Sequence, residues 1–373
     1  MPRPAEPSRP LTRRLARLSA NTLLVLAAVL TAYALGEGAY RLALPHLPRA
    51  LLHHQPRELR VLAQNTKDGL APAPGWIAII GDSYGQGAGD WFIENRFDRE
   101  SRFQAAHILH DELGVDVMSL SKAGAGSYDG AAVFAVNTVR YIRSLGLEVP
   151  DPAHAFVYFY AGNDLTDNQL FLKRHFLPER DAACLEDDAC FARFAAEADE
   201  RWASGELPRL QDRFLLANLA SRAIEDAIYQ ASEDARRRRY EPGEVNRAAI
   251  GGETVALPDN LEHPGLHLDE AELEPPLRLF DRAVERIHRF FPDTPMTLVF
   301  IPSPPSCYHL AGDAVSTKAG VDETAFLHRR SARLAAHIRA TAERMGLGFI
   351  DLRGPCLAAS AERPLHVIEG PLM

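Results

Sequence analysis

The stretch "IAIIGDSYGQG", Ile77 to Gly87, decides the fold. Four apolar residues run straight into Gly-Asp-Ser, and further glycines follow at Gly85 and Gly87. A run this short, with no polar face, reads as a strand buried on both sides. Glycine and aspartate then end it, because both suit turns. Ser83 is left at a strand-to-helix turn, where its hydroxyl is exposed and its own N–H points into the same space.

Four similar runs recur along the chain: "VDVMSL" (115–120), "AFVYFY" (155–160), "MTLVFI" (296–301) and "LGFIDL" (347–352). Between and before them lie segments with apolar residues at helical spacing, such as "SRFQAAHILHDELG", "DGAAVFAVNTVRYIRSLG", "PPLRLFDRAVERIHRFF" and "ETAFLHRRSARLAAHIRATAERMG". Alternating strand and helix predicts an α/β fold around a parallel sheet covered on both faces. The expectation is a three-layer α/β/α domain over 75–373 with a five-stranded, flavodoxin-like sheet. More than a hundred residues separate the third strand from its crossover helix. They predict an insertion over about 165–274, a helical cap beside the carboxyl edge of the sheet, with a Gly/Pro-rich polar part at "YEPGEVNRAAIGGETVALPDNLEHPGLH".

The N-terminus carries a second message. "LSANTLLVLAAVLTAYAL", Leu18 to Leu35, holds 18 residues without a charge, and five arginines precede it. A membrane helix needs ~20 mostly apolar residues, and positive charge stays on the cytoplasmic side. Residues 1–45 are therefore expected to form a cytoplasmic tail and an uncleaved signal anchor, and 46–74 a linker. The protein domain is then expected to face the periplasm or exterior. A cleaved signal peptide, cut after Ala32-Tyr-Ala34, is the rival reading; the apolar run is long for that, and it resumes at "GAYRLAL".

Composition bounds the rest. The 373 residues are 46% hydrophobic and 24% charged, which is globular. A net charge of −9 argues against nucleic acid as a partner. The basic cluster Arg236–Arg239 follows Glu233 and Asp234 and reads as a solvated helix end. Outside the cytoplasm the four cysteines can oxidise. Cys184 and Cys190 close a short loop, and Cys307 and Cys356 each follow an apolar strand, so these two pairs are predicted. No cysteine or histidine spacing suggests zinc, and no cofactor is implied.

Ligands of open parallel sheets bind outside the carboxyl ends of the strands. Three polar stretches follow strand ends here: Gly81-Asp82-Ser83, "SKAGAGSYD" after the second strand, and "AGND" (161–164) after the third. Acyl transfer needs a nucleophile and donors aimed at the developing oxyanion. Ser83 can supply the first. The backbone N–H of Gly124, unshielded by a side chain, and the amide of Asn163 can supply the second. The glycines do not suit a dinucleotide turn, because Gly85, Gly87 and Gly89 break the G-x-G-x-x-G spacing.

At this point the chain, from about Trp76 to Leu352, resembles the SGNH hydrolases, a subgroup of the GDSL esterases and lipases. "GDSYGQG" is similar to the family's first block, "SKAGAG" to its second and "GND" to its third. The resemblance implies ester hydrolysis with Ser83 as nucleophile, and with Gly124 (Gly126 as second choice) and Asn163 as oxyanion donors. Asp82 and Asp164 are read as residues that orient the turns. The substrate implied is an acyl ester, of a small molecule, an O-acetylated carbohydrate or a lipid.

The family supplies its base from an Asp-x-x-His block after the fifth strand. The tail "RGPCLAASAERPLHVIEGPLM" has no such block and no closing helix by pattern. Asp151-Pro-Ala-His154 has the spacing but precedes the third strand. That is the wrong end of the sheet by roughly 17–20 Å. His366 is the histidine nearest the expected place, with no partner acid at the right spacing. Three explanations stand open: a frameshifted or truncated end, a degenerate enzyme that binds without turnover, or a replacement base from His366, His263 or His267. The alternative function is a non-catalytic binding or scaffold protein of a cell-envelope complex.

Overall fold

The computed structural model describes residues 11–53, 55, 57–87, 104–204, 214–216, 218–219, 221, 224, 242–258, 266, 268–317, 320–363 and 365. In chain order the strands are β1 (Ile77–Ile80), β2 (Val117–Ser119), β3 (His154–Tyr160), β4 (Pro242–Ile250), β5 (Glu253–Pro258), β6 (Met296–Ile301), β7 (Ala314–Thr317), β8 (Gly320–Glu323) and β9 (Gly348–Asp351). The main helices are α1 (Leu11–Ala43), α2 (Ala105–Leu113), α3 (Phe134–Ser144), α4 (Asp164–Phe171), α5 (Asp188–Ser204), α6 (Glu270–Phe290), α7 (Thr324–Met345) and α8 (Arg353–Glu362).

The five expected strands form one all-parallel sheet in the order β2-β1-β3-β6-β9. Counted within the sheet this is 2-1-3-4-5, the flavodoxin order, with its switch point between β1 and β3. The registers are regular: Ile77 lies opposite Val117 and His154, Ala155 opposite Met296, and Thr297 opposite Gly348. Strand alternation divides the apolar residues between two faces. Ala78, Ile80, Val157, Phe159, Leu298 and Phe300 join the large core with residues of α3, α6 and α7. Phe159 meets Phe280 of α6 edge-on at 5.0 Å. Ile79 and Val117 face the other way and pack on Ala106 of α2.

Three elements depart from the sequence reading. The insertion is not purely helical: β4 and β5 form an antiparallel hairpin inside its Gly/Pro-rich part. Its turn is Gly251-Gly252, both at positive φ (61° and 81°), as tight hairpin turns require. This hairpin is stitched to a second one, β7–β8, through Asn246, whose side chain exchanges two hydrogen bonds with the Ser316 backbone. The tail, in turn, does carry a helix, α8. Asp351 caps its start by accepting from the Arg353 N–H at 3.0 Å. The stretch 46–74 is packed rather than loose: Leu52, Leu59, Leu62 and Ala63 enter the large core, and buried Lys67 donates to the Leu62 and Gln64 carbonyls.

Both expected disulfides are present, Cys184–Cys190 in the insertion and Cys307–Cys356 joining the end of β6 to α8. At the N-terminus, α1 contains a span, Asn21–His46, long and apolar enough to be a membrane anchor or a signal sequence. Its described side chains up to Leu35 are almost all exposed, unlike those of a core helix.

Candidate active site

Gly81 ends β1 where only glycine fits: a Cβ there would come within 2.8 Å of the Tyr158 Cβ on β3. Asp82 caps the single helical turn Ser83–Gln86 by accepting from the Tyr84 N–H at 3.0 Å. The turn closes at Gly87, whose φ is 74°. Ser83 is the first residue of that turn and is half-buried. Its hydroxyl donates to Asp82 Oδ2 at 3.3 Å. None of the described hydrogen bonds uses the Ser83 N–H.

Beside it, β2 keeps its pairing past the strand: Leu120 N–H reaches the Ile79 carbonyl and Lys122 N–H the Gly81 carbonyl. Ser119 Oγ donates to the Gly85 carbonyl at 2.6 Å, and Ala123 N–H donates to Gln86 Oε1 at 2.7 Å. These bonds carry the second turn to the foot of the first. Its two glycines then separate. Gly124 has φ 71°, and a Cβ on it would meet open space. Gly126 is pressed against α4, where a Cβ would come 2.6 Å from Asn168 Oδ1 and 2.8 Å from the Asn168 N. No described hydrogen bond uses the Gly124 N–H either. Gly124 is thus the glycine with space before it.

The third turn follows β3. Gly162 leaves room for the Tyr160 ring, which a Cβ would strike. Tyr160 itself lies against Tyr84, with ring centroids 4.0 Å apart, so the first and third turns touch. Asn163 precedes α4; its Nδ2 donates to Asp167 Oδ2 at 2.9 Å, while its buried Oδ1 has no partner. Asp164 is fully buried. Its Oδ2 accepts from the Tyr160 N–H at 3.0 Å and from Ser127 Oγ at 3.2 Å, and its Oδ1 has no partner.

The electrostatics follow from this burial. Desolvation pushes the Asp82 carboxyl up to about 6, despite the N–H and hydroxyl donors that favour its charged form. Asp164 is pushed well above the ordinary carboxylate range, by burial first and by the nearby Asp82 charge second. Burial raises Asp167 as well. Two buried carboxyls from different turns therefore bias one another against ionising together. As turn residues Asp82 and Asp164 carry no sequence signal of this interaction; it follows from β1 and β3 being neighbours.

Asp82, Ser83, Asn163 and Asp164 thus sit at adjacent strand ends on either side of the switch point, with Gly124 on the neighbouring turn. His366, His263 and His267 lie outside the described residues. Among the described residues no histidine hydrogen-bonds Ser83. Asp151 and His154 are apart from the site, as expected. Asp151 pairs with Arg143 at 2.7 Å, and His154 Nε2 meets Thr297 Oγ1 at 3.0 Å, at the amino end of β3.

A cavity of about 520 Å³ lies elsewhere, between α5 and the C-terminal half of α6. Its Arg282 and Arg286 already pair with Asp188, Glu285 and Asp199. Among the described residues no cluster of histidine, cysteine and carboxylate side chains could hold a metal ion. Compared with family models, with curated proteins and with solved structures, the chain matches none.

Proposed function

We propose that the chain is an ester hydrolase of SGNH type, acting outside the cytoplasm on an acyl ester. The observation that carries this reading is the meeting of three turns at the carboxyl edge. Ser83 stands on one, the open Gly124 N–H on the second and the Asn163 amide on the third. Ser83 Oγ attacks the acyl carbon. The N–H groups of Ser83 and Gly124 and the Asn163 amide hold the oxyanion. Asn163 must turn its amide from Asp167 to do so. The serine proton passes to Asp82 Oδ2, the one described group its hydroxyl contacts, and then to the leaving alcohol; water, giving its proton to the same carboxylate, then attacks the acyl-serine, and that proton returns to Ser83 Oγ as the acid leaves.

A carboxylate is a weaker base than the imidazole of a full triad, so turnover is slow. Oxyanion donors and binding alone leave ~10³ to ~10⁴ over water in serine proteases stripped of a triad member. The fold reading is completed in the same way: helices α3, α6 and α7 on one face of the sheet, with α2 on the other, support a three-layer arrangement. The two disulfides support an oxidising, extracytoplasmic location, with α1 retained as the anchor.

The second reading, a non-catalytic binding protein, is favoured by Ser83 having a carboxyl rather than an imidazole at its hydroxyl. Hydrolysis of p-nitrophenyl acetate by the full chain in detergent separates the two. A rate above that of Ser83→Ala supports the hydrolase. Equal rates leave the binding protein.

A further inference from the structure

Within the insertion the described residues expose large apolar side chains at Leu170, Leu177, Phe214 and Ile224 (42%, 43%, 40% and 62%), and of these Phe214 lies against α1. Leu215 and Asn218, three apart, are buried. Phe214, Ser221 and Ile224, seven and three apart, are exposed and share one side of this short segment, next to the buried pair. This apolar side does not point at random, because the segment is fixed to the end of α1. Glu37 is buried there. Its carboxylate accepts the N–H groups of Leu215 at 2.8 Å and Leu216 at 2.9 Å, and pairs with Arg41 at 3.1 Å. Gln55 Nε2 donates to both Tyr40 Oη and the Leu215 carbonyl. The Tyr33 and Phe214 rings lie 6.0 Å apart.

These contacts set the depth of Phe214. Glu37 and Arg41 mark where α1 leaves the hydrocarbon, so the part of the apolar span Asn21–His46 within it ends at Gly36; Tyr33 sits three residues before Gly36, about 4.5 Å along the helix axis. With α1 across a bilayer, Tyr33 occupies the level where aromatic residues gather between hydrocarbon and headgroups. Phe214, against it, is at the same level. Leu23, Leu35 and Leu42 on α1 are 65%, 70% and 83% exposed, so the apolar surface is continuous from the span to its outer end. Apolar surface of this extent is covered in a folded protein by lipid or protein. The uncharged span beside it selects lipid.

We infer that Phe214 and Ile224 enter the headgroup layer of the bilayer that α1 crosses. Glu37 is the tether that holds the insertion there. This rests on the anchor reading of α1, and it extends that reading. The insertion becomes a second point of contact, so the domain lies against the membrane instead of hanging from one helix. The insertion also leaves the sheet through α4, directly after Asn163, so the candidate site is coupled to the membrane surface.

The test uses the full chain in phosphatidylcholine vesicles. Emission from Phe214→Trp, Ile224→Trp and Val321→Trp is read as the difference from wild type, which has three native tryptophans. Val321 is 68% exposed on β8 and serves as the aqueous control. Lipids brominated near the headgroup should quench the tryptophans at 214 and 224 and blue-shift them, and leave 321 open to aqueous iodide. Adding Glu37→Ala to Phe214→Trp should abolish that quenching while the protein stays in the vesicles after alkaline carbonate. Iodide access at 214 and 224 equal to that at 321 would overturn the inference. Shielding from both quenchers would also overturn it, and would place protein on this surface instead. Release by carbonate would overturn it through the anchor itself, an outcome distinct from the other two.

Discussion

The two ends of β3 carry the same kinds of side chain in opposite states. At the amino end, Asp151 has an arginine and His154 has a threonine hydroxyl. Every polar group there that the sequence pattern picks out is satisfied. At the carboxyl end, Asn163 and Asp164 each keep a buried oxygen without a partner, and the Asp82 charge acts on Asp164 across the switch point. Buried polar groups left unpaired cost about 1–3 kcal/mol each. Unpartnered buried atoms also occur elsewhere in the described fold, on Gln55, Asn137 and Ser331 for example; what sets the carboxyl end of β3 apart is that two of them adjoin a pair of interacting carboxyls at a strand-end crevice. Spacing alone would have chosen the amino end, because Asp151 and His154 match a catalytic pattern. Between the two ends of β3, satisfaction favours the carboxyl end.

The largest expected effect would break this contrast outright. Ser83→Ala should abolish the acyl-enzyme and lower p-nitrophenyl acetate hydrolysis well below wild type, the oxyanion donors alone keeping it above the uncatalysed background. His154→Ala should leave the rate unchanged. If the two variants fall together, or neither falls, the carboxyl end has no privileged chemistry. His366→Ala belongs in the same series. A loss equal to that of Ser83→Ala would make His366 the proton acceptor in place of Asp82.

Asp82→Asn sharpens the same point through pH. Asparagine caps a helix as well as aspartate does, so the turn should survive. With the wild-type carboxyl raised to about 6, the rate should climb as pH passes 6 and the base becomes free. Asp82→Asn should lose that climb along with most of the rate. Stability should move the other way. The folded state holds the Asp82 proton more tightly than the unfolded chain, whose value is 3.8. The stabilisation is therefore complete below about 4 and is lost as pH rises towards 6. Thermal melts of the variant should lack that share of the slope; an unchanged slope would mean Asp82 is ionised throughout.

Much of this was legible in the sequence, and the failures have physical causes. The five strands were readable because each is a short apolar run, as strands buried on both faces need; β9, at the edge of the sheet with Ile350 39% exposed, keeps the run without that burial. Ser83, Gly124 and Asn163 were readable because strand ends in a parallel sheet share an edge. The β4–β5 hairpin was missed, although Gly251-Gly252 is a strong turn signal. The glycines and prolines around it suit a loop equally well, and its strands alternate weakly. Helix α8 was missed because it is short, and a disulfide rather than an apolar stripe fixes it to the sheet end. The Asp82–Asp164 pair and the Glu37 tether could not be read at all. Each joins residues far apart in sequence, and neither has a local pattern.

The second block supplies a smaller test, between two glycines two residues apart. Gly126→Ala drives a methyl into Asn168 on α4, including its backbone N. Overpacking of this kind costs about 1–3 kcal/mol. Asn168 also holds Ser127 and the Pro276 carbonyl, so α4 and α6 should loosen together. Gly124→Ala meets no neighbour and suffers only from its positive φ, at about 1–2 kcal/mol. The distinction is in what accompanies the stability loss. Gly126→Ala should lower the denaturation midpoint with kcat largely kept in the folded fraction. Gly124→Ala should lower kcat, because its N–H is displaced from the oxyanion. The reverse pattern would move the oxyanion role to Gly126.

The smallest effect returns to the amino end. His154→Ala removes the contact with Thr297 and a ring packed 4.7 Å from Phe156, a loss of about 1 kcal/mol. Its pH dependence should oppose that of Asp82. Burial lowers the His154 value below 6.5, so the unfolded chain binds the proton more readily. Wild type should lose a little stability as pH falls below 6.5, and His154→Ala should lose less over the same range. The carboxyl end favours acid and the amino end favours base, because desolvation keeps both an aspartate and a histidine neutral. Melts of the two single variants and the double variant between pH 4 and 8 would separate the two slopes. Additive slopes are expected for sites a strand apart. Coupled slopes would mean that the two ends of β3 share one electrostatic network, and the contrast between them would fail.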